Sequence, residues 1–280
     1  MTEVERGGND GIMEKKKTRI AFIGGGAMGE AMAKCLLTKK VAGAQDLVVS
    51  DVSLVRRELL SREYGVSCLA DNREAAKNAD LIILAVKPQN LSQVMGEIKG
   101  LSPDQLALSI VAGANLATLR RGLNHSCLIR AMPNMPAQIG EGMTVWTATD
   151  ETEPRQKKLA QIVLSALGKE IYVADEKYLD MATALSASGP AYVFLFIEAL
   201  IDAGVHIGLP RDVSQTLVIQ TILGSTRTVE KTGKHPADLR NAVTSPGGTT
   251  TEALLQLEKG RFRSLFLEAV AAAYEKAKRL

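Results

Sequence analysis

Two stretches of this chain carry residue types at spacings that could do chemistry. The first is Gly24-x-Gly26-x-x-Gly29. Glycine at its first position permits a tight turn, at the second lets a pyrophosphate approach the backbone, and at the third lets a helix lie close to a strand. An apolar, partly β-branched run, Thr18–Ile23, precedes the motif, and Ala27–Leu37 follows with Ala, Met and Leu at helical spacing. Strand, glycine turn and helix are the context that dinucleotide binding requires. The new helix would turn unpaired N–H groups and its positive dipole end toward phosphate. Gly24, Gly26, Ala27, Met28 and Gly29 are therefore the expected phosphate cradle. A glycine turn with a purely structural purpose is the plainer alternative, and the β/α context favours the nucleotide.

Asp51 closes a second predicted strand, Asp46–Ser50, 22 residues beyond Gly29. An acid that bonds an adenosine ribose is expected at about this distance. Asp51 could equally cap a helix that begins near Ser53, and one aspartate can do both. Asp80–Val86 reads as a buried strand that ends abruptly at Lys87-Pro88, on the carboxyl edge where open α/β sheets bind ligands. Lys87 has two readings there, a binding group or a solvated loop lysine.

The second stretch is Thr244-Ser-Pro-Gly-Gly248, a compact loop leading into a helix from Thr249. Thr249 and Glu252 have the spacing of a capping box. That arrangement would leave the N–H groups of Gly247, Gly248, Thr250 and Thr251 pointing outward, a natural pocket for a small carboxylate. A well-made helix start that binds nothing fits the same residues.

The elements that must position these groups fall into two halves. Further strands are predicted at Val66–Leu69, Gln105–Ile110, His125–Ala131, Met143–Ala148 and Glu170–Val173. Helices are expected at Asn72–Asn78, Asn115–Leu123 and about Glu153–Leu167. Met132–Gly142, with two prolines and two glycines, is a shaped loop. From Tyr178 onward the pattern is helical throughout. The fold expected is an α/β Rossmann-type domain with a mostly parallel sheet (18–175), then an all-helical domain (176–280). The polar segment 1–17 reads as a disordered or loosely attached tail. Helices are expected from Ser188-Gly189-Pro190 onward, at Arg211–Thr232, at Pro236–Val243 and from Thr249. Ala191–Ile207 is apolar almost all round, so a second subunit is expected to help cover it. Glu198, Asp202 and His206 share one stripe of it, read as a polar seam rather than a metal site.

Composition narrows the function classes. The chain has 280 residues, 34 basic and 31 acidic, for a net charge of +3. Such balance argues against a nucleic-acid or membrane partner. Three scattered cysteines, Cys35, Cys68 and Cys127, suit a reducing compartment and form neither a disulfide framework nor a zinc site. The longest apolar run, Ala191–Ile197, is too short to span a bilayer. A soluble, cytoplasmic protein is expected.

With these motifs in place the chain resembles the pyrroline-5-carboxylate reductases. The resemblance runs from about Thr18 to the C-terminus. It rests on Gly24–Gly29, Ala85-Val-Lys-Pro88, Ser109–Gly113, Arg130-Ala-Met-Pro-Asn134, Leu185–Tyr192 and His235-Pro through Ser245–Thr250. The last of these is the most specific. The resemblance implies NADPH- or NADH-dependent reduction of 1-pyrroline-5-carboxylate to L-proline. It also implies a homodimer interlocked through the helical domain, assembled in several members into decamers. It places Ala85, Val86, Lys87, Pro88, Asn72 and Ala112 along the cofactor. Ser245, Gly247, Gly248, Thr249 and Thr250 would hold the substrate, with contributions from the partner subunit.

An imine nitrogen acquires its proton near neutrality, so no strong acid catalyst is required. Thr250 is then the expected catalytic residue, its hydroxyl bonding the ring nitrogen. A β-hydroxyacid dehydrogenase would need a lysine on the first long helix after the linker, and Ala191–Ile207 has none. A cofactor-sensing module would have no need of the Ser245–Thr250 loop. Between the two coenzymes, Asp51 favours NADH, whereas Arg56 and Arg57 could attract the 2′-phosphate of NADPH.

Overall fold

Ile20–Ile23 and Leu81–Leu84 are apolar at every position, and such strands are stable only where both faces of their sheet are covered. The computed structural model describes residues 18–279 and meets that demand. The segment 1–17, expected as a tail, and Leu280 lie outside the described residues.

Strands β1 (Ile20–Ile23), β2 (Leu47–Ser50), β3 (Ser67–Leu69), β4 (Leu81–Leu84), β5 (Leu106–Ser109), β6 (Leu128–Met132), β7 (Gly142–Ala148) and β8 (Gly168–Tyr172) form one sheet. Their spatial order is β3-β2-β1-β4-β5-β6-β7-β8. All neighbours are parallel except the antiparallel pair β6–β7. The helices between them are α1 (Ala27–Thr38), α2 (Leu54–Tyr64), α3 (Asn72–Ala76), α4 (Leu91–Glu97), α5 (Leu116–Leu123) and α6 (Pro154–Ser165). Met32 and Leu36 of α1, Leu60 of α2 and Leu164 of α6 cover one face of the sheet. Ala75 of α3, Met95 of α4 and Leu119 of α5 cover the other. This is the expected Rossmann architecture. Strand order reverses between β1 and β4, which opens a crevice at their carboxyl ends.

Element ends differ from the sequence reading for local reasons. β6 begins at Leu128 rather than His125. Asn124 turns the chain with φ 48°, and the His125 Nε2 lies 2.8 Å from the Gln105 carbonyl, so the chain reaches the sheet three residues later. The short helix α4, unforeseen, follows a 3-10 turn at Pro88–Asn90. The shaped loop holds a 3-10 turn at Met135–Ile139, and Asn134 Oδ1 accepts the Met143 N–H at 2.8 Å.

Beyond Tyr172 the described residues contain no strand. Helix α7 (Lys177–Ala182) runs through a π-turn at Thr183–Ala187 into α8 (Gly189–His206), so this helix starts eleven residues before Ser188. Then come α9 (Arg211–Thr232), α10 (Pro236–Ala242), α11 (Thr249–Lys259) and α12 (Phe262–Ala277). The unbroken stretch Lys177–His206 contains an 18-residue window of mean hydropathy 1.6 and is, by length and composition, long and apolar enough to cross a membrane. The run Ala191–Ile197 understates this, because Glu198 ends the run while the apolar residues on both sides of it outweigh that single charge in the average.

Arg130 docks this helix on the sheet. Its guanidinium is buried and bonds Glu176 at 3.0 Å and Asp180 at 2.7 Å, and Glu176 also accepts the Leu116 N–H. Beyond that anchor the helices are bare. From residue 176 to 279 only Leu179, Ala184, Ile201, Ser214 and Ala277 are buried within the chain. Leu195 is 66% exposed, Leu217 52% and Leu267 73%. An apolar surface of this extent requires a covering partner. Leu195→Glu tests that requirement. On a free surface it changes stability by less than ~0.5 kcal/mol. Under a covering subunit it buries a charge, so sedimentation velocity should show dissociation and the thermal midpoint should fall. An unchanged oligomer with an unchanged midpoint would contradict it.

Candidate functional site

Three glycines of the first turn have separate geometric duties. Gly24 has φ +106°, and a Cβ there would stand 2.6 Å from the Ala85 carbonyl oxygen. A Cβ on Gly29 would stand 2.3 Å from the Gly24 carbonyl oxygen, so α1 can approach β1 only with glycine. A Cβ on Gly26 would meet nothing within 4 Å. That open space is the cradle a pyrophosphate would fill. The Gly24 N–H is held by the Ser50 carbonyl, and the first helical bond runs from the Glu30 N–H to the Gly26 carbonyl. The N–H groups of Gly26, Ala27, Met28 and Gly29 have no partner among the described residues, as a phosphate site requires.

These amides border a cleft of 660 Å³ at the switch point between β1 and β4. Its lining brings together Gly24, Gly26, Asp51, Asn72, Ala85, Val86 and Lys87, all expected from sequence. Pro88 and Ala112 lie outside that lining, while Ala27, Met28 and Gly29 contribute backbone amides beside it. The sequence reading missed Ser50, Val52, Asn90, Gln93, Val94 and Glu97. The last four come from the unforeseen α4 and the turn before it.

Asp51 does not cap α2. Ser53 does, its hydroxyl accepting the Arg56 N–H at 3.4 Å. The Asp51 carboxylate instead accepts the Gly25 N–H on one oxygen and the Ser53 N–H on the other, both at 2.8 Å. It thus ties the glycine turn to the end of β2, and each oxygen keeps a lone pair for a further donor. Asn72 Oδ1 accepts from Ser50 Oγ, and its Nδ2 donates to Glu97, each at 2.6 Å. Lys87 is exposed and makes no ion pair among the described residues. Arg56 Nε donates to the Gly25 carbonyl at 2.9 Å, and its Nη2 pairs with Glu30 at 2.7 Å. The Tyr64 hydroxyl donates to the other Glu30 oxygen. The Arg56 guanidinium holds the Glu30 carboxyl below the usual range. Burial, then the bond to Glu30, pushes the Tyr64 hydroxyl up.

At the second stretch the structure corrects the capping expectation. Gly248, not Thr249, is the N-cap of α11, and no side chain caps it. Gly247 turns the chain with φ +67°, so Thr249 already lies in the helix. Its hydroxyl and the Glu252 carboxylate form no capping box. The Gly248 N–H donates to the Ser245 carbonyl, and the Thr251 N–H to the Gly248 carbonyl, both at 3.1 Å. Those two amides are therefore spent. The N–H groups of Gly247, Thr249 and Thr250 have no partner among the described residues, nor has the half-buried Thr250 hydroxyl. Thr251 Oγ1 donates to the Ser245 carbonyl at 2.8 Å and stiffens the loop. This loop is not part of the lining of its own chain's cleft.

Two further features complete the survey. A 610 Å³ groove between Asn134, Leu185, Tyr192, Phe194, Phe262 and Phe266 is apolar and continues the bare helical surface. The described residues hold no cluster of three His, Cys, Asp or Glu side chains suited to a metal. Asp202 of the polar stripe pairs with Arg211 at 2.6 Å. Helix α8 carries no lysine, and Lys177 at the start of α7 is paired with Asp175.

Comparison with known proteins matches both halves. Residues 176–280 fit the family profile described as pyrroline-5-carboxylate reductase dimerisation. Residues 19–113 fit that described as NADP oxidoreductase, coenzyme F420-dependent. The pyrroline-5-carboxylate reductase of Synechocystis sp. is 42% identical over 94% of this chain and 98% of its own. That of Escherichia coli is 37% identical over 96% of this chain and 99% of its own. The Coxiella burnetii pyrroline-5-carboxylate reductase structure superposes with a TM-score of 0.86 at 36% identity, covering 94% and 98% of the two chains. The Plasmodium falciparum pyrroline carboxylate reductase, solved with NADP bound, gives 0.86 at 34% identity, covering 94% and 97%.

The glycine geometry separates binding from folding. Gly26→Val, at the N-cap of α1, should cost no more than ~1 kcal/mol of stability and lose dinucleotide binding in a fluorescence titration by at least tenfold, about 1.4 kcal/mol. Gly29→Ala should instead destabilise the fold by about 1–3 kcal/mol through overpacking against the Gly24 carbonyl.

Proposed function

The chain belongs to the pyrroline-5-carboxylate reductase family, and from that membership we propose how its residues divide the reaction. The protein is an NAD(P)H-dependent oxidoreductase that reduces 1-pyrroline-5-carboxylate to L-proline, the closing step of proline biosynthesis. One observation carries the assignment of residues. The Thr250 hydroxyl and the amides of Gly247, Thr249 and Thr250, without partners among the described residues, share one loop. They match a cyclic imine whose neighbouring carbon bears a carboxylate.

In this reading the Gly26–Gly29 amides hold the coenzyme's pyrophosphate, and Asp51 and Asn72 face its adenosine end. Ala85, Val86 and Lys87 flank it at the end of β4, with Pro88 and Ala112 placed along it by the resemblance alone. Bound there, the coenzyme supplies a hydride to the imine carbon. The substrate nitrogen enters already protonated by solvent, and Thr250 Oγ1 holds it. The free amides, with Ser245 and Gly248 shaping the loop, fix the carboxylate. As the new C–H bond forms, the C=N π pair becomes the lone pair of a neutral amine, which solvent then protonates. Rate enhancement comes from holding the imine carbon against the hydride donor, not from a strong acid.

The Rossmann unit is taken as 18–175 and the helical unit as 176–280. The dimerisation surface of the helical unit makes the protein a homo-oligomer, and we take the dimer as the catalytic unit. The substrate loop of one protomer is proposed to complete the cleft of the other, because it lies apart from its own. A decamer of five such dimers is the larger assembly that the family resemblance implies. Three unpaired cysteines support a cytoplasmic location. The bare apolar helix surface is assigned to the partner subunit rather than to lipid.

Thr250→Val tests the assignment. It keeps β-branching and removes one hydrogen bond to a protonated imine, worth ~1.5–3 kcal/mol, or roughly a 10- to 150-fold loss of kcat/KM. Thr249→Val, with no cap to lose, should leave the unfolding free energy within ~0.5 kcal/mol of the wild type, read from thermal melts. Wild-type kinetics in Thr250→Val would remove the hydroxyl from the reacting nitrogen.

A further inference from the structure

The cations lining the dinucleotide cleft are Arg56 and Lys87, and Arg56 stands with Asp51 and Val52 at the end of β2. This is the adenosine end, where NADH presents a ribose hydroxyl and NADPH a phosphate. An arginine recognises a 2′-phosphate most strongly when its guanidinium is free to donate two parallel bonds. Arg56 is committed elsewhere: its Nε and Nη2 donate to the Gly25 carbonyl, and Nη2 also pairs with Glu30. Glu30 is itself braced by the Tyr64 hydroxyl at 2.9 Å. The neighbouring Arg57 does not line the cleft, and its Nη1 donates to the Asp51 and Val52 carbonyls. Asp51, by contrast, keeps acceptor capacity on both carboxylate oxygens after binding two backbone amides.

We infer that Glu30 is a specificity-determining residue: by fastening Arg56 to the glycine turn it withholds the guanidinium from a 2′-phosphate, and with Asp51 it makes this reductase prefer NADH. The inference rests on the reading that the cleft holds NAD(P)H. Glu30 touches neither coenzyme directly. It acts through Arg56, and releasing it should return that side chain to the cleft as a phosphate ligand.

The experiment is a fluorescence titration of the full-length protein with NADH and with NADPH, without substrate. Wild type should bind NADH more tightly. Glu30→Gln should tighten NADPH relative to NADH by roughly 3- to 10-fold, the range of a partly exposed charge pair. Adding Arg56→Met to Glu30→Gln should abolish that gain. Tyr64→Phe, which loosens Glu30 without touching the charges, should shift the ratio in the same direction by less. Glu30 also sits in the first turn of α1, where any carboxylate repels phosphate. An equal tightening of both coenzymes would therefore mean simple repulsion and overturn the inference, as would a wild type that prefers NADPH. Failure of the wild type to bind either coenzyme would instead refute the reading of the cleft.

Discussion

The close approach of α1 to β1 is the constraint on which the nucleotide half of the molecule depends. Gly29 lies so near the Gly24 carbonyl that a methyl group would reach within 2.3 Å of it, and Gly24 lies as tightly under Ala85. Without side chains at those two points the helix N-terminus sits at the reversal of strand order. Four backbone amides then open onto the space above Gly26. Asp51 secures the turn from the side by taking the Gly25 N–H, and Arg56 secures it by donating to the Gly25 carbonyl. The same two side chains line the cleft beside the end of β2, the end we assign to adenosine. Shape and selectivity of this site therefore share their residues.

The helical half obeys a different constraint, the hydrophobic effect without enough chain to satisfy it. Residues 176–279 bury almost nothing by themselves, and Arg130 with Glu176 and Asp180 supplies a polar hinge-pin to the sheet. Breaking a buried ion pair leaves an uncompensated charge, so such a node fixes where the helix starts. The bare face above it matches a dimerisation family. The cluster of amides at Gly247–Thr250 is outside the lining of its own chain's cleft. Association thus serves stability and, in the proposed arrangement, chemistry at once.

Much of this was legible in the sequence. β1, β4 and β5 are continuous apolar runs bounded by turns, and the glycine spacing named its own role. The loop Ser245–Thr250 was visible because proline and two glycines precede a helix. Its cap was misassigned, since the S/T-x-x-E spacing at Thr249 and Glu252 ignores that the positive φ of Gly247 completes the turn one residue earlier. The pattern was helical from Tyr178, but the long helix was started at Ser188 because a π-turn at Thr183–Ala187 interrupts its period. Long-range polar contacts, such as Glu30 with Arg56 across 26 positions, leave no trace in a single sequence. The acids Glu176 and Asp180 did offer a signal: two carboxylates at i, i+4 ahead of an apolar helix need a cation.

The central claim is that this chain transfers hydride to a cyclic imine. Its most direct test follows reduced-coenzyme absorbance and L-proline together in one reaction of the full-length protein with 1-pyrroline-5-carboxylate. The account predicts coenzyme oxidation that requires the imine and yields an equimolar amount of L-proline. Coenzyme binding without proline formation, or turnover with a hydroxy or oxo acid in place of the imine, would contradict it.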